Sequence, residues 1–268
     1  MPSIQKQAMS GIGTGYDLST TTFSPDGRVF QVEYAGKAVD ASGTVIAVKC
    51  KDGIVMAVEK MVRSKLLVEG SNRRSFIVSK KAGMAIAGFQ ADARQIVLRA
   101  RGECEQYKSS YGGEIPPHVL NDRIASFMHL YTVYWTVRPF GVGVIMAHHG
   151  RDGYELYQLD QAGAAYRCYA SAIGKARQAA RTEIEKLNLE ELSAQDALYE
   201  LGKIIHQVHD DVKDKDFELE LSWICDQTGS NFQTVPKEMK DEIETRIKAA
   251  LDEESDDDDD DEDDDDEE

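Results

Sequence analysis

A chain of 268 residues that is 41% hydrophobic and 29% charged suits a single globular domain with a sizeable core, and no apolar run reaches the roughly 18–20 residues that cross a bilayer. The formal net charge of −17 belongs to one segment: residues 252–268, DEESDDDDDDEDDDDEE, hold 16 of the 48 acids, which leaves 32 against 31 basic residues elsewhere, a net of −1. The body is thus near neutral, and a like-charged block with nothing apolar to bury is expected to be a disordered acidic tail, giving one domain over 1–251 and a tail over 252–268.

The N-terminal stretch MPSIQKQAMSGIG lacks the apolar centre of a secretory signal, so the chain is expected to stay in the cell. Gly11, Gly13 and Gly15 are no phosphate cradle, since no strand precedes them and no helix follows directly. In YDLSTTTFSPDGRVFQVEYAGKAV, the threonines Thr20, Thr21 and Thr22 precede a turn signal with Pro25 at i+1 and Gly27 at i+3. Val32, Ala35 and Val39 then set an apolar stripe on a short helix.

Thr44–Cys50 and Ile54–Glu59 flank Lys51-Asp52-Gly53, which predicts a β-hairpin, and Ser75–Ser79 with Met84–Phe89 predicts a second. Consecutive apolar residues imply that both hairpins are covered on both faces. Ala93, Ile96, Val97, Ala100, Cys104 and Tyr107 recur at helical spacing, as do Leu120, Ile124, Phe127, Met128 and Tyr131, which predicts two amphipathic helices joined by a Gly/Pro break. Strands are expected at 141–147, 154–160 and 165–170, helices at 174–187 and after the N-cap Ser193, a strand at 218–225, and a final helix from Pro236. Strands and helices segregated in this way indicate an α+β domain with two stacked sheets between helix layers.

The four cysteines, Cys50, Cys104, Cys168 and Cys225, are widely spaced and contain no C-x-x-C pair, which suits a reducing compartment and offers no metal cluster. His148-His149 and the His206/His209 pair lack a third ligand at an obvious spacing, so no metal is assigned.

FSPDGRVFQVEYAGKAV closely resembles the N-terminal signature of alpha-type subunits of the 20S proteasome. The resemblance continues through VRSKLLVEGSNRRS, AIAGFQADAR, YTVYWTVRPFGV, AIGKARQAARTEIEKL and VKDKDFELELSW, and covers nearly all of residues 13–251. It implies a four-layer α-β-β-α sandwich, the N-terminal nucleophile hydrolase-like fold. It also implies a non-catalytic subunit of an outer ring, partnered by six other alpha subunits, the beta ring subunits and regulatory particles such as the 19S cap. No cofactor, membrane or nucleic acid is implied, and the expected location is cytoplasmic and nuclear.

Catalytic relatives of this fold use an N-terminal threonine exposed by cleavage after glycine, with an aspartate and a lysine nearby. By the resemblance these positions fall close to Thr44, on Glu59 and near Arg74. An arginine does not readily give up its proton, and Thr44 has no free amine while residue 43 is attached, so no catalytic residue is assigned. The resemblance further implies that residues 1–30 form a gate segment, and that Tyr16, Asp17, Pro25 and Tyr34 match the family's gate-stabilising cluster. Leu18 stands where most members carry arginine. Arg74 replaces the lysine that anchors an activator's C-terminal carboxylate, while Gly88 of that pocket is retained. Ser255, followed by six aspartates, suits an acidophilic kinase of the casein kinase 2 type. Two rival readings stand beside this one: an active threonine hydrolase on the same fold, and an acidic tail that binds basic proteins.

Overall fold

The computed structural model of the chain describes residues 15–62, 64, 66–68, 70–210 and 216–262, the side chains of 252 and 254–262 excepted. A turn leads into the first helix, with Gly27 N–H donating to Ser24 O at 2.9 Å and Gly27 at φ +77°, a conformation that glycine adopts without strain. Helix α1 (Phe30–Asp40) follows and buries Phe30, Ala35 and Val39, two of which lie on the stripe read from sequence.

The first hairpin pairs β1 (Val45–Lys49) with β2 (Gly53–Met61), with Val45 opposite Val58 and Lys49 opposite Ile54. The second pairs β3 (Ser75–Ser79) with β4 (Ala82–Gly88) through a bulge between Ile77 and Ser79. Coverage on both faces, expected of both hairpins, holds along β4 but fails in β3, which is a sheet edge with Ile77 exposed. Arg101 donates two N–H bonds to Ile77 O, at 2.9 and 2.7 Å, and so occupies an acceptor that an edge strand would otherwise offer to another chain.

Helices α2 (Gln90–Tyr111) and α3 (Pro117–Val133) come next, then β5 (Val142–Gly150), β6 (Gly153–Leu159) and β7 (Ala165–Cys168). The single strand expected at 165–170 is two. β7 pairs with β6, while β8 (Ala170–Ile173) crosses to the other sheet and pairs with β1. Tyr169 is the crossing point, its carbonyl already accepting from Lys49 N–H at 2.7 Å. A run of strand-forming residues carries no mark of which sheet it joins, so the break is invisible to periodicity.

The chain closes with α4 (Arg177–Glu185), α5 (Ala194–Val208), β9 (Phe217–Cys225), the short β10 (Gln233–Thr234) and α6 (Lys237–Glu262). Ser193 caps α5 as expected, accepting from Asp196 N–H at 3.2 Å. Where the sequence suggests disorder from residue 252, the backbone of α6 continues as helix to Glu262. Ile243 and Ile247, both buried, anchor its first half, and the acidic run extends the same helix.

All strand pairings are antiparallel, in two five-stranded sheets of order β10-β9-β2-β1-β8 and β3-β4-β5-β6-β7. One core joins the first sheet to α4, α5 and α6 through Ile46, Leu198, Leu201 and Trp223. A second joins the other sheet to α2 and α3 through Met84, Ile96, Ile124 and Met128. A third lies between the sheets, where Met56, Ala85, Ile145 and Ile224 meet. The result is the expected α-β-β-α sandwich, with α1 against β4 and β5. Replacing Ile124, fully buried in the second core, with alanine should lower stability by about 2–5 kcal/mol in urea denaturation, whereas Leu98→Ala on the exposed face of α2 should stay within about 0.5 kcal/mol.

Candidate functional site

The residues aligned with a threonine-hydrolase centre do converge, in a sealed form. Thr44, at the mouth of β1, is fully buried, and its backbone N–H donates to Glu59 Oε2 at 2.7 Å. Its hydroxyl oxygen accepts from Ala176 N–H at 3.2 Å. Glu59 Oε1 meets His209 Nδ1 at 2.6 Å, and both side chains are nearly inaccessible. The nitrogen that would have to be a free amine is therefore an amide, already spent as a donor to a buried carboxylate.

Arg74 faces the other side of the cleft. Its guanidinium donates to Gly88 O at 2.6 Å, and its backbone N–H donates to Glu220 Oε2 at 3.0 Å. Burial pushes the Glu220 carboxyl up, against the N–H donors of Arg74 and Ser75 that favour its charge. Gly88 sits at φ +114°, where a Cβ would also overlap Gly141 O, so only glycine serves there. A cavity of about 350 Å³ lies between these groups, lined by Ser42, Gly43, Glu59, Asn72, Arg74 and Ala87. Thr44 lies behind it. The two candidate activator-pocket residues, Arg74 and Gly88, are thus in direct contact.

The N-terminal segment is attached to the same end of the sandwich. Thr20 is buried and its hydroxyl donates to Tyr134 O at 3.1 Å, while Thr21 N–H bonds the Ser19 hydroxyl at 3.1 Å. The threonine run is a fastening. Of the four gate candidates, Asp17 and Tyr34 share a hydrogen bond at 3.2 Å, and Gln31 donates to Asp17 O, while Tyr16 and Pro25 are exposed. Leu18 is exposed at 88%. Arg28 grips Glu33 in a bidentate pair that fixes the turn to the first coil of α1 and holds the Glu33 carboxyl below its usual range. Gly11 and Gly13 lie outside the described residues, as does the side chain of Ser255.

Sequence reasoning missed His209, which it weighed only as a metal ligand beside His206. Both rings pack on Phe217, with centroids 4.8 Å away for His206 and 4.5 Å for His209, and His209 also meets Glu59. Among the described residues no group of three or more His, Cys, Asp or Glu side chains could hold a metal ion. A buried acid at position 59 was the available signal, since it demands a partner, yet nothing in the sequence ranks His209 above other cations.

The chain matches two family models, one for the proteasome subunit over residues 39–224 and one for the N-terminal signature of A-type proteasome subunits over residues 16–38. It is 56% identical over 245 residues to proteasome subunit alpha type-3 of Arabidopsis thaliana, covering 91% of this chain and 98% of that one. With proteasome subunit alpha type-3 of Dictyostelium discoideum the identity is 49% over 245 residues, covering 91% and 99%. With the probable proteasome subunit alpha type-7 of Saccharomyces cerevisiae it is 45% over 226 residues, covering 83% and 78%.

The sealed centre should behave as structure. Glu59→Ala removes the carboxylate that both the Thr44 N–H and His209 bond and should cost about 3–5 kcal/mol. Thr44→Val removes only the acceptor for Ala176 N–H and should cost about 1–2 kcal/mol, both read from chemical denaturation.

Proposed function

This chain belongs to the proteasome subunit family and carries its alpha-type N-terminal signature, and from that premise we propose that it is a non-catalytic subunit of the outer alpha ring of the 20S core particle. It contributes to the closed gate and presents docking surface to regulatory particles. Its neighbours are six other alpha subunits and the beta ring, and it works wherever such particles do, in cytoplasm and nucleus. The observation that carries the reading is the Thr44 amide held by Glu59, because a threonine hydrolase of this fold needs that nitrogen free as its proton acceptor.

The gating part rests on the segment before α1. The turn at 24–27, the Thr20 bond to Tyr134 and the Asp17–Tyr34 bond hold the segment that leads into α1. An activator tail ending in a carboxylate has Arg74 as its cation, though that guanidinium already serves Gly88 O, so docking here is weaker than at a site with an uncommitted lysine.

Particles assembled with a chain lacking residues 1–15 should hydrolyse short fluorogenic peptides several-fold faster at rest, with the activator-stimulated rate changed less. Native mass spectrometry should find one copy of the chain in each seven-membered ring; its absence would overturn the reading, and unchanged resting rates would overturn the gating part alone. Asp17→Ala should instead weaken the activator-opened state by about 1 kcal/mol, the net worth of the bond to Tyr34. At the acidic end, casein kinase 2 should phosphorylate purified full-length chain at Ser255, and a Ser255→Ala chain that incorporates as much phosphate would sink that assignment.

A further inference from the structure

A second cavity, also about 350 Å³, opens on the opposite side of the second sheet, between the β3–β4 turn, α2 and the start of α3. Neither the gate segment nor the Thr44 cleft contributes to it. Its size falls in the range of small-molecule sites. Part of its lining is apolar, from Val78, Ile115 and Leu120, and part is cationic, from Lys80, Lys81 and Lys108. Arg101 adds a further cation, and Glu105 and Glu114 are the acids. Among the described residues, none of these three lysines or two glutamates is held in an ion pair. Cations that converge on a cavity without partners are available to a ligand.

The floor supplies a donor. His148 lines the cavity while only 3% exposed. Asn121, fully buried on α3, stands 2.7 Å from Pro117 O and 3.0 Å from His148 Nε2 through the same nitrogen, Nδ2. Only a donor can sit that close to the Pro117 carbonyl, so Nδ2 is correctly the amide nitrogen and gives its second hydrogen to His148 Nε2. Nε2 is then an acceptor and the ring proton is on Nδ1. Burial holds the His148 pKa down to about 3, so the ring stays in this neutral tautomer at ordinary pH. No hydrogen bond among the described residues engages the Nδ1–H. The Nδ1–H is not sealed from solvent, unlike Nδ1 of the neighbouring His149, so a ligand oxygen can take the place of water as its acceptor.

We propose that this cavity binds a small organic anion, its carboxylate or phosphate head accepting from His148 Nδ1–H and the lysines, and its apolar body resting on Val78, Ile115 and Leu120. The glutamates at the rim select against large anions, and the apolar wall selects against bare inorganic ions.

The test uses the purified full-length chain, with imidazole nitrogen resonances followed by NMR and those of His148 assigned from a His148→Gln sample. The probes are phenyl phosphate, benzoate, phenol and inorganic phosphate. Phenyl phosphate or benzoate should shift the His148 signals saturably, phenol should not, and inorganic phosphate should bind about tenfold more weakly or worse. Lys80→Glu with Lys108→Glu, two exposed positions that the fold tolerates, should weaken binding by about tenfold or more with the thermal midpoint unchanged. No saturable shift at millimolar probe, or binding indifferent to the charge reversal, would overturn the proposal. So would inorganic phosphate binding as tightly as phenyl phosphate, which would mark an adventitious ion only.

Discussion

The buried carboxylate of Glu59 is the constraint on which the cleft end of the molecule depends. A carboxylate this far from water must be matched by donors, and here the donors come from two separate elements, the Thr44 N–H at the head of β1 and His209 just past the end of α5. The bond to Thr44 continues the β1–β2 ladder, whose adjoining rung is the Glu59 N–H bond to Thr44 O at 2.8 Å. The bond to His209 ties the outer helix layer to the sheet. One side chain therefore holds strand, sheet and helix together at the point where a hydrolase of this fold would need an open and reactive nitrogen. Stability and silence at Thr44 have the same cause.

The other wall of the cleft is held by a relay of backbone and side-chain bonds. Arg74 donates to Gly88 O, Phe89 N–H donates to Gly141 O at 3.0 Å, Gly141 N–H donates to Asp92 Oδ2 at 3.0 Å, and Asp92 receives both terminal nitrogens of Arg138 at 2.7 and 2.9 Å. Burial works to raise the Asp92 carboxyl, and the bonds from Arg138 and Gly141 outweigh it, leaving the group below its usual range and charged at neutral pH. Tyr134, whose carbonyl fastens Thr20, lies four residues before Arg138 in sequence. The segment around Thr20 is thus moored to a loop that is itself clamped to α2.

Much of this was legible in the sequence. Two hairpins, both helix pairs and the layered architecture follow from periodicity and turn chemistry, because the inner strands β1, β2, β4 and β5 are covered on both faces and read as continuous apolar runs. The turn at Pro25–Gly27 and the stripe at Ala35 and Val39 were equally plain. What escaped were facts set by partners distant in the chain. Residues 165–170 look like one strand because sheet membership is decided by Lys49, more than a hundred positions away. His209 read as an ordinary imidazole because the carboxylate it meets, Glu59, is 150 positions away, and the Thr20 mooring depends on a carbonyl in the loop after α3. Local pattern fixes what an element is; long-range pairing fixes which polar groups it must satisfy.

The same reasoning explains why charge placed at the far end of α6 leaves the body undisturbed. Ile243 and Ile247 anchor the helix against α5, and Lys240 pairs with Glu244 at 3.6 Å along its flank. Beyond Leu251 the sequence offers no apolar residue to bury, and the acidic positions from 252 to 262 fall in the C-terminal part of α6, where the macrodipole opposes negative charge. Those residues carry nearly all of the chain's net charge. A phosphate at Ser255 would raise a potential that is already strongly negative, and its effect would fall on whatever basic surface meets the helix end, leaving Glu59, Asp92 and their partners to their own buried donors.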